Sequence, residues 1–229
     1  MRLSARRFST RGFANANAHH AVGVEKSKPI RYFTYQKGHV KMTHTSEALN
    51  TSGGVDHLSP YLFHLEALSA TQHEGGNLRG GNEENWPILV GENGAVYLIQ
   101  LEPGGVREPH WHPNAWEINY VVSGSAKWVL LGTQQENYTF EAYKGDVVFA
   151  PQGFFHYFEN SSDNEKLVVF IVFNKSTSEA RNDIGIVNSI SLIPNDILAT
   201  VFGVSPDFFN NLPKIVKPVT IVKKPSSHS

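Results

Sequence analysis

The sequence predicts an all-β sandwich or barrel. Three observations carry that expectation. From Pro87 to Phe173 the chain runs in short stretches rich in Val, Ile, Leu, Tyr and Phe; Gly, Pro, Asn and Asp punctuate them; and they recur roughly every 8–12 residues. With 229 residues, 40% of them hydrophobic, there is material for one good-sized core. The candidate strands are Ala95–Glu102, Trp116–Val122, Ala126–Leu131, Tyr138–Tyr143, Asp146–Ala150 and Lys166–Phe173, each β-branched or aromatic in character and bounded by turn residues. Downstream, Asp196–Phe202 has helical texture and stops at Gly203, a C-terminal cap. Ser205-Pro206-Asp207 then supplies the N-cap, first-turn proline and first-turn acid of a second short helix.

The N-terminal quarter differs. Residues 1–24 hold Arg2, Arg6, Arg7 and Arg11 and no acid before Glu25. They lack the apolar stretch a secretory signal needs, which argues against secretion. An Arg-rich, acid-poor leader fits a mitochondrial matrix address; a plain disordered tail is the alternative, and both describe a soluble protein inside the cell. Residues 25–56 are polar and without periodicity, an extended arm. Ser59–Leu68 opens the compact part, and Gly75-Gly76 and Gly80-Gly81 mark turns. The division expected is leader and arm over 1–56, one domain over 57–224, and a disordered tail over 225–229.

Composition excludes several classes. Lys+Arg 20 against Asp+Glu 21 leaves a net charge of −1, which argues against a nucleic-acid partner. Cysteine is absent, so disulfides, thiolate metal sites and thiol catalysis are excluded. No apolar run approaches the ~20 residues of a membrane span, so no membrane partner is expected.

The chemistry lies in two stretches. Gly104 to Glu117 reads Gly-Gly-Val-Arg-Glu-Pro-His-Trp-His-Pro-Asn-Ala-Trp-Glu and closes at Gly124. Strand side chains alternate faces, so His110 and His112 point the same way, and Glu117 follows on the return strand. The second stretch runs from Gly145 through Pro151-Gln-Gly153 to His156 and Asn160. A hairpin supplying three ligands and a distant strand supplying the fourth would build a site for a borderline divalent metal from His110, His112, Glu117 and His156. His19, His20, His39, His44, His57, His64, His73 and His228 read as ordinary surface or core histidines.

Both stretches resemble the two cupin motifs, G(X)5HXH(X)4E(X)6G and G(X)5PXG(X)2H(X)3N, with every fixed position filled. Leu101–Ala115 is further similar to one domain of the oxalate decarboxylase branch, a likeness covering roughly residues 58–224. The resemblance implies a double-stranded β-helix (cupin or jelly-roll barrel) with short C-terminal helices. It also implies Mn²⁺, with Fe²⁺ as the alternative, on His110, His112, Glu117 and His156, and dioxygen as co-catalyst. The implied reaction is cleavage of oxalate to formate and carbon dioxide, with the neighbouring activities an oxalate oxidase, an Fe²⁺ dioxygenase or a non-catalytic binding or storage cupin. Three neutral imidazoles and one carboxylate leave a divalent ion at a net +1, which favours a small dianionic carboxylate as substrate.

Arg107 matches the arginine that grips oxalate in that family, but lies three residues from His110 and should face the other way, so Pro109 or a bulge must bend the strand. Glu108 reads as structural or exposed. The family's proton donor sits in a Ser-Glu-Asn-Ser-Thr lid; here only Ser178-Glu179 survives, an ungapped register places Ala180 at the acid position, and Glu179 is the candidate donor. Trp116 also departs from the branch's pattern and, with Trp111, Phe154 and Phe155, reads as packing. Characterised members of the branch usually carry two such domains. One domain therefore implies a homo-oligomer that recovers the buried interface.

Overall fold

The computed structural model describes residues 30–36, 39–45, 53–134 and 136–225; the leader and the last four residues lie outside them. Two units divide at Leu49/Asn50. The first contains β1 (Ile30–Gln36) and β2 (His39–Thr45), paired antiparallel from Ile30↔Thr45 to Gln36↔His39, within the stretch read as an extended arm.

The second unit begins its ordered contacts before residue 57. The buried carboxylate of Asp56 accepts from the backbone N–H of Leu58 and Ser59 and meets His64 Nε2 at 3.0 Å. Its strands are β3 (Thr71–His73), β4 (Gly76–Gly81), β5 (Ala95–Leu101), β6 (Gly105–Trp111), β7 (Glu117–Ser123), β8 (Ser125–Leu131), β9 (Asn137–Tyr143), β10 (Val147–Ala150), β11 (Phe155–Asn160) and β12 (Leu167–Phe173). Then come α1 (Glu179–Asn182), β13 (Ile184–Gly185), α2 (Ile186–Leu192), α3 (Asn195–Phe202), α4 (Asp207–Asn210) and β14 (Ile221–Lys223). All six strands expected from the sequence are present, each end within one residue.

The strands form two antiparallel sheets. One has the order β10-β7-β12-β5-β4-β3; the other runs β13-β6-β11-β8-β9, with β14 also on β6. The core lies between them. Leu167, Val169, Ile171 and Phe173 of β12 and Ala95, Tyr97, Ile99 and Leu101 of β5 alternate inward, where they meet Leu130 and the Trp128–Phe158 stack (4.3 Å) on the second sheet. Each such aliphatic or aromatic side chain stabilises the fold by about 1.5–3 kcal/mol. Because β12 sits centrally between β7 and β5, its other face is also half-covered, which is why its sequence reads as a continuous apolar run.

Two glycines fix turns. Gly124, at φ +80°, joins β7 to β8, and a Cβ there would lie 2.6 Å from the Lys166 carbonyl oxygen, so the motif's closing glycine is sterically required. Gly203, at φ +67°, ends α3 in the left-handed cap read from the sequence, with Val204 N–H donating to Ala199 O. Ser205 Oγ accepts from Asp207 N–H at the start of α4. No helix among the described residues is long and apolar enough to cross a membrane.

Candidate metal centre

β6, β7 and β11 bring His110, His112, Glu117 and His156 to one point between the sheets. Pairing of His156 with His110 across the β6–β11 ladder sets the first contact. His112 follows two residues on, and Glu117 is the first residue of the return strand. All four are at most 2% exposed. One ligand atom from each can be chosen so that all lie within 4.8 Å of one another. That is near the ~4–4.5 Å span of two ligands on opposite sides of one ion with ~2.0–2.2 Å bonds.

Hydrogen bonding orients every member. His110 Nδ1–H donates to Glu108 O (2.7 Å), His156 Nδ1–H to Phe154 O (2.8 Å) and His112 Nδ1–H to Asn182 O (3.1 Å). A carbonyl only accepts, so in the neutral ring each Nε2 carries a lone pair aimed at the site. Asn119, two residues after Glu117 on the same strand face, donates to Glu117 Oε1 at 3.0 Å. Glu117 Oε1 lies 3.0 Å from His156 Nε2, and its Oε2 lies 3.4 Å from His112 Nε2. Both imidazole nitrogens are buried without a hydrogen-bond partner. Two bare acceptors facing a carboxylate in a dry interior require a cation, either a proton or a metal ion. The residues present therefore fit a divalent metal.

Electrostatics points the same way. Burial, then Arg107 and the neighbouring histidines, hold His110 well below its usual 6.5, in the neutral ligating form. Burial opposes ionisation of Glu117, but His156 and His112 outweigh it and keep its carboxyl well below the usual range. Burial likewise lowers His112, yet the nearby Glu117 carboxylate, 3.4 Å from Nε2, overcomes it and pushes the group up; a metal would take the place of that proton.

Arg107 joins this centre through a β-bulge. Opposite His156 and Phe158 on β11 stand His110 and Arg107, so β6 carries one extra residue between the pairs. The extra residue cancels the parity mismatch, and Arg107 is fully buried. Glu108 is also buried, not exposed: its Oε2 accepts Val187 N–H at 3.2 Å, and a Cβ on Gly185 would come within 2.5 Å of its Oε1. The structural reading of Glu108 survives; exposure does not.

The segment 174–183 closes over the site. Glu179 Oε1 accepts from Arg107 Nη2 at 3.0 Å, and Asp183 Oδ2 binds the same nitrogen. Burial alone would lower Arg107, but Asp183 and Glu179 overcome it and raise its pKa. Burial pushes Asp183 above the ordinary carboxylate range despite Arg107. Tyr97 Oη accepts Glu179 N–H at 2.6 Å, Glu83 N–H donates to Ser176 O at 2.8 Å, and Ser176 Oγ donates to Glu83 Oε2 at 2.8 Å. Sequence reasoning missed Asp183, Tyr97 and Asn119. Only Asn119 left a signal, a polar side chain at an inward position two residues from a ligand. The aromatics pack as expected, Trp111 against Phe155 at 5.6 Å and Trp116 against Phe149 at 5.8 Å.

The cupin family model matches residues 64–208, most of the second unit. The chain belongs to the cupin family. This cupin is 30% identical to an oxalate decarboxylase of Arthroderma benhamiae over 174 residues, 75% of this chain and 40% of that one. It is 30% identical to the oxalate decarboxylase of Bacillus subtilis, over 73% of this chain and 42% of the relative. A solved structure of the Bacillus enzyme superposes with a TM-score of 0.63 at 29% identity, over 71% and 41% of the two chains. That enzyme carries Mn(II) centres. A putative germin-like protein of Oryza sativa is 27% identical over 64% of this chain and 66% of its own. This cupin thus spans about two fifths of the decarboxylases it matches, and its paired sheets are the double-stranded β-helix of the family.

Proposed function

We propose that this cupin is a manganese-dependent enzyme acting on oxalate or a similar small carboxylate, with decarboxylase chemistry. The observation that carries the reading is a fully buried guanidinium and a lid carboxylate, Glu179, beside a three-histidine, one-glutamate centre. Bound by His110, His112, Glu117 and His156, the metal would hold one substrate carboxylate and supply the redox chemistry that loosens the carbon–carbon bond. Arg107 would grip the carboxylate through parallel N–H bonds and stabilise charge as that bond breaks. Glu179 would deliver the proton: oxalate dianion plus one proton gives formate and carbon dioxide, with no net oxidation. The closed lid keeps water from the reacting carbon.

Purified protein with its metal measured, challenged with oxalate under air, tests this. Bound manganese with formate release supports the reading. Hydrogen peroxide without formate assigns an oxidase, bound iron without manganese assigns a non-haem iron enzyme, and an inert metalloprotein assigns a binding role.

A homo-oligomer is part of the same reading. Tyr120, Phe140, Val147 and Phe149 are exposed on strands β7, β9 and β10, and Val201, Phe202 and Phe208 on α3 and α4. Such apolar faces are suited to self-association. Sedimentation of a monomer at micromolar concentration would refute it.

A further inference from the structure

The state of Arg107 points past a simple substrate clamp. A guanidinium offers a carboxylate two bidentate forks, Nη1 with Nη2 and Nε with Nη2, and both include Nη2. In this structure Nη2 is taken by both Glu179 and Asp183, while Nε and Nη1, the second donors of the two forks, have no hydrogen-bond partner. Glu179 Oε2 and Asp183 Oδ1 are equally buried and unpartnered. Glu108 adds a third carboxylate, 3.7 Å from Nη1. One guanidinium therefore faces three acids, two of them through single hydrogen bonds to Nη2, and no fork is free for an incoming dianion. A cleft of about 610 Å³ is lined by Ser178, Glu179 and Ala180 of the lid, with Arg79 and Lys217 among its other residues. That gives a displaced Glu179 a cationic place to go, pivoting at its backbone bond to Tyr97.

We propose that Glu179 and Asp183 are internal carboxylate ligands of Arg107, so that a dicarboxylate reaches the guanidinium only by exchanging with the lid, and that Asp183 sets the affinity of that exchange. Glu179 is shared with the proposed mechanism, but Asp183 has no part in the chemistry; it is a specificity-determining residue that penalises any ligand unable to fill a whole fork. A dicarboxylate that bridges the metal centre and Arg107 fills one. A monocarboxylate held on the metal alone leaves Asp183 in place. The inference rests on the proposed use of Arg107 to bind substrate, and deepens it.

The test uses full-length protein loaded with Mn²⁺, its metal content measured, titrated with oxalate in the absence of air so that nothing turns over, with acetate as the single-carboxylate comparison. Asp183→Asn should bind oxalate at least tenfold more tightly than the wild type while acetate changes less than twofold. In the wild type, saturating oxalate should speed tryptic cleavage after the exposed Arg181 several-fold. In Asp183→Asn that cleavage should already be fast without ligand. Oxalate affinity that is unchanged or weaker in a metal-replete Asp183→Asn overturns the proposal, as does cleavage that oxalate leaves unchanged or slows. If Asp183→Asn loses its metal, Asp183→Ala is measured in its place, and metal loss in both marks Asp183 as purely structural. A protein that releases no formate but shows both shifts keeps this inference and loses the proposed reaction; the converse result loses only this inference.

Discussion

The metal ligands and the lid occupy the same site and are built in opposite ways. His110 and His156 donate to carbonyls two residues back in the chain, and Glu117 is steadied by Asn119 two residues ahead. Their geometry is local and comes with the strand. The lid is held by side chains from distant elements: Arg107, 72 and 76 residues from its two partners, Tyr97, 82 residues away, and Glu83, 93 residues away. One part is a rigid socket and the other a set of separable latches. A direct bond from a metal-site side chain to the lid is His112 Nδ1–H to the Asn182 carbonyl.

The largest effect should come from breaking the socket. Glu117→Gln removes the only anionic ligand and leaves three neutral imidazoles; metal affinity should fall by two orders of magnitude or more, read by metal content after dialysis. Glu179→Gln, a change of the same size in the lid, should leave metal content as it was. Equal metal loss in the two would abolish the distinction.

Arg107→Ala attacks the junction. It leaves Glu108, Glu179 and Asp183 buried without their cation, so denaturant unfolding should show a loss of about 3–5 kcal/mol. Adding Asp183→Asn to that variant should restore part of the loss, because one of the stranded charges is gone. A double variant as unstable as the single one would mean that Asp183 already sheds its charge in the folded protein.

The contrast also explains what the sequence disclosed. The six strands expected from the sequence and the four candidate ligands follow from period-two alternation and turn residues, which act over a few positions; β1 and β2 lie in a stretch that shows no such period. The register shift at Glu108–Pro109 was demanded by Arg107 having to turn inward, although the sequence could not place the extra residue. Asp183 and Tyr97 were invisible because their partners are far along the chain, and no local period marks a tyrosine hydroxyl that accepts from a lid N–H. Helix α2, Ile186–Leu192, went unread for a related reason: its β-branched Ile186, Val187 and Ile190 favour strand, and the structure overrides that preference by placing Glu108 under its first turn.

A subtler change tests whether the tie through His112 matters. Asn119→Ala removes the hydrogen bond to Glu117 Oε1 without touching the lid; such outer partners typically contribute 10–100-fold in metal affinity. Competition with a chelator should place the loss in that range, with tryptic cleavage after Arg181 unaltered. Faster cleavage would mean that disorder in the socket spreads to the lid.

The smallest effect comes from the opposite direction. Tyr97→Phe keeps the ring that packs edge-on to Phe173 at 5.4 Å and deletes only the oxygen, which accepts Glu179 N–H at 2.6 Å and, more weakly, Asn82 Nδ2 at 3.4 Å. The buried N–H loses its partner, at a cost of about 1–3 kcal/mol that falls on the closed lid rather than on the sheets. Cleavage after Arg181 should therefore accelerate several-fold while global unfolding shifts by less than the local loss. Metal affinity should drop only to the extent that lid opening withdraws the Asn182 carbonyl from His112, a twofold to threefold change at most. A larger drop would show that the socket depends on the lid for its shape, and that these two parts of the site close as one.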